Sequence, residues 1–212
     1  MDLQGPPALP LTRYALPRPC TSAPLLRVVV DTNVYFVPPV RDFLLNAGWL
    51  TSARLLTIGW SETILAEIER NWTRVTGPDR ATERWHRFAS RFREAFAAGY
   101  GEAAVSLRPD TRIASEDRHI VSLALALQAD GIVTLNLRDF PQHELATLGL
   151  KVWHPDALCQ ELYARDPTAV LAILHYQGAN LRPPRSLDTM LAVLFRTCPK
   201  FVEQVRTGSA SR

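Results

Sequence analysis

Residues 116–141 read EDRHIVSLALALQADGIVTLNLRDFP. Ile120, Val121 and Ala124 recur at helical spacing, and Ser115 just before them is a good N-cap, so the first half predicts a helix. GIVTL, 131–135, is short, β-branched and apolar, which predicts a buried strand. It stops on Thr134, Asn136 and Asp139. A helix feeding a short buried strand is half of a βαβ unit, and repeated units of this kind build a mainly parallel sheet with helices on both faces. Functional sites in such sheets lie beyond the carboxyl ends of the strands.

The rest of the chain repeats this alternation. RVVVDTNV, 27–34, carries three consecutive valines cut off by polar residues, another buried strand. A helix over 39–47 follows, with Pro38 and Pro39 at its start. ARLLTIGW predicts a second strand. SETILAEIERNW opens on Ser61 and lines up Ile64, Leu65, Ile68 and Trp72 on one side of a helix. Residues 79–98 predict a longer helix with Trp85, Phe88, Phe92 and Phe96 as its stripe. AVSLRP is a candidate third strand, GIVTL the fourth and KVWHP the fifth.

Organisation changes at both ends. Residues 1–26 are proline-rich and nearly free of acids, which predicts an extended arm. Residues 27–153 form the predicted α/β domain. Residues 154–206 predict a small C-terminal all-helical extension, with Asp166 and Ser186 as N-caps and Pro167 and Pro199 at first helical positions. TGSASR at the end predicts a frayed tail.

Composition bounds the function. The chain has 212 residues, 47% of them hydrophobic, enough for a substantial core. No apolar run approaches the length of a membrane span, and no secretory signal is evident. Cys20, Cys159 and Cys198 are far apart, with no CxxC pair, which speaks against a zinc knuckle or disulfide framework and suits a cytoplasmic protein. A net charge of +3 permits a nucleic-acid partner without requiring one.

Asp31 follows the valines at a strand tip. It is either a turn residue bonding nearby amides or part of a site. Asp117 lies in the first turn of its helix, where the dipole favours an anion, yet it shares the face of Ile120, Val121 and Ala124. Glu62, Glu67 and Glu69 flank one apolar stripe, and spacing does not choose among them. Two carboxylates 4 Å apart repel by about 4 kcal/mol at an effective dielectric near 20, so several gathered at strand ends call for a cation. Oxygen ligands without His or Cys point to Mg²⁺ or Mn²⁺.

VVVDTNV, ILAEIERNW and the 116–141 block, in this order, resemble the PIN domain, specifically VapC-like toxin ribonucleases. The resemblance spans roughly residues 27–155. It implies a PIN-like fold and an RNA-cutting site in which Asp31, Glu67 and Asp117 hold Mg²⁺ or Mn²⁺. It selects Glu67 over its neighbours. Many members carry an acid where this chain has Asn136, so Asn136 is a candidate catalytic residue and Asp139 a candidate metal ligand in its stead. Asn33 and Thr134 are expected to orient carboxylates, and His119 to be a packed or surface residue. The resemblance also implies RNA as substrate, a small VapB-like antitoxin and a homodimer.

Arg80, Arg84, Arg87 and Arg91 recur at helical spacing beside the aromatic stripe. With Arg138 they are candidate RNA contacts, or else a solvated basic face. Two other classes stay open: a PIN-fold module that binds RNA or protein without cutting, which Asn136 favours, and a phosphoacceptor domain, which lacks a second acid near Asp31 and a clear partner lysine.

Overall fold

The computed structural model describes residues 25–50, 55–76, 78–107 and 111–210. Nearly all of the predicted N-terminal arm lies outside the described residues. These residues cluster into two compact units, one formed by 26–36 with 57–153, the other containing 37–56 with the residues from 154 on.

The first unit is the α/β fold. β1 is Leu26–Val30, and its valines are at most 3% exposed. Burial on both faces explains the unbroken apolar run, and each valine contributes about 1.5–3 kcal/mol. A 3₁₀ turn, Thr32–Phe36, follows. After α1 Pro38–Trp49, which belongs to the second unit, come in chain order β2 Leu56–Gly59, α2 Glu62–Thr76, α3 Pro78–Ala95, α4 Arg118–Ala126, β3 Gly131–Val133, α5 Gln142–Thr147 and β4 Lys151–Trp153. The four strands form one parallel sheet in the order β2-β1-β3-β4. Val30 pairs with Val133, so the next residues, Asp31 and Thr134, sit side by side where the strands end.

Gly131 makes this sheet possible. A Cβ there would lie 2.1 Å from the carbonyl oxygen of Lys151 on β4. Only glycine lets β3 and β4 approach at this point.

The two-helix layer matches its sequence pattern. Ser61 Oγ accepts the Ile64 amide at 3.4 Å, capping α2. Ile64, Leu65, Ile68 and Trp72 are buried, as are Trp85, Phe88, Phe92 and Phe96 of α3 and its end. Trp72 stacks on Phe88 with ring centroids 6.0 Å apart.

Three expectations are corrected. Residues 104–107 have no regular structure, so AVSLRP adds no strand there and the sheet has four strands among the described residues, not five. The backbone link at this edge is instead a single bridge between Trp60 and Tyr100. Ser115 does not cap α4: its hydroxyl turns to Glu116 Oε2 at 3.0 Å, and the helix starts later, after Asp117. The C-terminal residues through Ala210 continue a helix rather than fray.

The second unit is helical. α6 Pro155–Arg165, α7 Pro167–Ala179, α8 Leu187–Leu194 and α9 Pro199–Ala210 pack together with α1. Asp166 and Ser186 cap α7 and α8 through their side chains, as read. Asp156 Oδ1 accepts the Phe201 amide at 2.8 Å and ties α6 to the start of α9. Cys159 and Cys198 are free, fully buried thiols.

Candidate active site

The site grows from the tip of β1. Asp31 is 5% exposed, and burial pushes its carboxyl above the usual range despite its hydrogen bonds. Thr134 Oγ1 donates to Asp31 Oδ2 at 2.6 Å, and Asn33 Nδ2 donates to the same oxygen at 2.6 Å. The parallel register puts Thr134 beside it, and the 3₁₀ turn brings Asn33 back. Asn33 also binds the next loop, its Oδ1 accepting the Leu135 amide at 3.1 Å. Both residues expected to orient carboxylates therefore contact Asp31.

Glu67 comes from the middle of α2. Of the three acids on that helix it is half-buried, while Glu62 and Glu69 are exposed. Glu62 is taken by Arg93, with contacts of 2.8 and 2.7 Å. Thr32 Oγ1 donates to Glu67 Oε1 at 2.8 Å. Glu67 Oε2 faces His119 Nε2 at 3.3 Å, an ion pair whose alignment falls short of a hydrogen bond. The opposite ring nitrogen, Nδ1, lies 2.7 Å from the Glu116 carbonyl oxygen. A carbonyl only accepts, so Nδ1 carries a proton, and a carboxylate opposite Nε2 favours a second. His119 is accordingly pushed up, chiefly by Glu67, and Glu67 is held below its usual range, chiefly by His119.

Asp117 is the half-buried N-cap of α4, with no side-chain capping bond. Its carboxyl is pushed up to about 6, first by burial and then by the charges of Asp31, Asp139, Glu116 and Glu67. Acids from β1, α2, α4 and the loop after β3 thus act on one another through a common field.

That loop closes on itself. Asn136 Nδ2 donates to Asp139 Oδ2, and the Asp139 amide donates to the Asn136 carbonyl at 3.2 Å. The Asn136 amide in turn donates to Thr134 Oγ1 at 3.0 Å, one bond from Asp31. Asn136 is exposed, and its amide group is committed to Asp139.

Among the described residues, no three His, Cys, Asp or Glu side chains are gathered closely enough to hold a metal ion. The donor chemistry still suits a hard cation: carboxylate oxygens from four elements, one of them, Glu67 Oε2, without a hydrogen-bond donor. The basic candidates are more scattered. Arg87 is exposed and Arg91 half-buried on α3, and Arg138 is exposed on the loop. The side chains of Arg80 and Arg84 lie outside the described residues.

One match among curated proteins bears on these residues' origin. The chain is 30% identical over 113 residues to the Mycobacterium tuberculosis protein named "Putative ribonuclease VapC50". The two are distant homologues. The match covers 53% of this chain and 64% of the VapC protein, just under two thirds of its length. No family model matches the chain, and no solved structure matches it significantly.

Beside these residues stands His119, read from the sequence as a packed or surface residue and found facing Glu67. It sits two positions from Asp117 in α4, and its partner Glu67 is 52 positions away in sequence. No local signal reveals such a pairing.

Proposed function

We propose that this chain is a Mg²⁺- or Mn²⁺-dependent endoribonuclease of the PIN-domain, VapC-like type, the toxin of a pair whose partner is a small VapB-like antitoxin. The distant homology to a VapC protein supports the class. The observation that carries the reading is Asp117. Its carboxyl, close enough to Asp31, Asp139, Glu116 and Glu67 to feel their charges, is pushed up to about 6, first by burial and then by those charges. Carboxylates that raise one another's pKa are relieved when a cation is bound among them.

Asp31 and Asp117 are the principal cation ligands in this proposal, with Glu67 and Asp139 completing the set. A hard divalent ion bound there supplies a water of lowered pKa and neutralises charge on a phosphodiester. The chain's own contribution is positioning. Thr134 and Asn33 fix the rotamer of Asp31, and Thr32, the next residue in the chain, donates to Glu67. Each acid thereby keeps its place in a field that would otherwise push it outward. His119 neutralises Glu67 while the cation is absent. RNA as substrate, a homodimer and a cytoplasmic setting belong to the same proposal.

A second reading is a PIN-fold binding module that no longer cuts. The neutral Asn136 and the engagement of Glu67 by His119 favour it. Incubation of purified protein with total cellular RNA in Mg²⁺, Mn²⁺ or EDTA separates the two. Discrete fragments that require metal support the nuclease. Intact RNA under every condition, with the protein folded and antitoxin-free, supports the module.

A further inference from the structure

The turn Leu135–Asp139 carries an uncompensated cation next in sequence to Asp139, one of the acids whose charge acts on Asp117. Arg138 is the immediate neighbour of Asp139, so the expected pairing is between the two. It does not occur. The Asp139 carboxylate is bound by the neutral amide of Asn136. Arg138 is exposed and has no hydrogen-bond or ion-pair partner among the described residues. Leu137 beside it in the chain is a large apolar side chain left 38% exposed.

The turn is also rigidly based. Its first residues are tied to the strand ends through Asn136 N to Thr134 Oγ1 at 3.0 Å and Leu135 N to Asn33 Oδ1 at 3.1 Å. Its far end is fixed by Phe140, which is fully buried. Leu137 and Arg138 therefore form the tip of a turn anchored at both ends, one anchor being the same threonine that orients Asp31. Had position 136 been an acid, Asp139 would have lost its donor and Arg138 would have been the nearest cation to replace it.

We infer that this turn is the substrate clip of the proposed ribonuclease: Asn136 occupies Asp139, which frees Arg138 to take a backbone phosphate of single-stranded RNA, while Leu137 packs on the adjoining base. The inference rests on the ribonuclease reading and adds to it a positioning residue, Asn136, and two substrate contacts. An arginine at this place offsets the repulsion between RNA and the acids that a cation alone must otherwise overcome. An apolar contact to an unstacked base is a common mode of single-strand recognition.

The test is binding of a fluorescent ten-nucleotide RNA in EDTA, read by anisotropy across a salt series, with folding checked by thermal unfolding. Arg138→Gln is expected to weaken binding about tenfold and to flatten the salt dependence by about 0.7 in log–log slope, the share of one single-strand phosphate contact. Leu137→Ser is expected to weaken binding to the normal RNA but not to one with an abasic position at the contact. Asn136→Ala, which releases Asp139 to pair with Arg138, is expected to mimic Arg138→Gln. Arg196→Gln, on the helical unit, is the control and leaves affinity unchanged. Wild-type binding with an unaltered affinity and slope in Arg138→Gln overturns the clip and leaves the ribonuclease reading standing. Absence of RNA binding by the wild type in EDTA also overturns the clip, whereas the ribonuclease reading falls only if RNA stays intact with Mg²⁺ and Mn²⁺ as well.

Discussion

His119 Nε2 stands 3.3 Å from Glu67 Oε2, and the other nitrogen of the same ring donates to the Glu116 carbonyl. An imidazole held this way is charged more readily than a free one, and its charge occupies an acid that the proposed cation would need. The pair accounts for why Glu67 can be half-buried beside Asp31 in the absence of metal.

Its contribution to stability has a defined pH window. Glu67 is lowered from an ordinary 4.5, so its share is present above that value and is lost as pH falls through its folded pKa. His119 is raised from 6.5, so its share is full below that value and is lost as pH rises through its folded pKa. The two overlap between about pH 4.5 and 6.5. His119→Ala is expected to lower metal-free stability by up to about 1 kcal/mol in that window, given the partial exposure of both groups. The deficit should shrink towards pH 9, as measured by denaturant unfolding at a series of pH values. A pH-independent deficit would show that His119 acts by packing alone.

Asp117 has the opposite sign. Its carboxyl is raised from 3.8 to about 6, so its folded form favours the proton, and stability falls as pH rises through that range. Asp117→Asn removes the penalty. After allowance for solvent screening of a half-buried group, the gain at pH 7 without metal is about 1 kcal/mol. For a chain of this size that raises Tm by about 2–4 °C. The same variant should lose the stabilisation that Mn²⁺ gives the wild type. A lower metal-free Tm in Asp117→Asn would place a structural bond where none is described.

These acids show how far the sequence was readable. Asp31 announced itself because a carboxylate after Val28, Val29 and Val30 has no apolar reason to be there. Asp117 did so because it shares the face of Ile120, Val121 and Ala124. The strand β3 and the aromatic stripe of α3 followed from periodicity, which is a local property. Glu67 was not separable from Glu62 and Glu69 by spacing, since all three flank the same stripe, and what distinguishes it is Thr32 and His119, neither of them near in sequence. The four-strand limit of the sheet was hidden for a similar reason. Val105 has strand propensity, but its carbonyl is engaged by Ser122 of α4 and so does not join a ladder.

Gly131 makes a prediction about the fold. Gly131→Ala sets a Cβ 2.1 Å from the Lys151 carbonyl oxygen and 2.7 Å from the Trp153 ring. Both belong to β4, whose backbone cannot retreat without breaking its ladder with β3. Destabilisation of about 3 kcal/mol is expected, at the upper end for an overpacked site. Thermal unfolding or soluble yield measures it. A wild-type Tm would mean that β4 moves freely.

Asn136→Asp replaces a donated hydrogen bond with two facing carboxylates across the turn. Without metal, Tm is expected to fall by about 2–4 °C, the equivalent of about 1 kcal/mol for a chain of this length. Added Mn²⁺ should recover it, because the new charge joins the anionic field rather than opposing a cation. Carbon-detected NMR of the side-chain carboxyls would show Asp117 titrating higher still. A metal-free Tm equal to wild type would remove Asn136 from the loop's architecture.

Titration of Mn²⁺ into the purified protein by calorimetry, at pH 7.5, with Asp31→Asn and Asp117→Asn alongside, tests the central claim most directly, that the carboxylates at the strand ends act as one cation site. The account predicts saturable binding of one or two ions per chain in the wild type and affinity at least about tenfold weaker in each variant, since each removes a ligand charge. Variants that are folded and bind as the wild type does, or a folded wild type with no saturable binding, would contradict it.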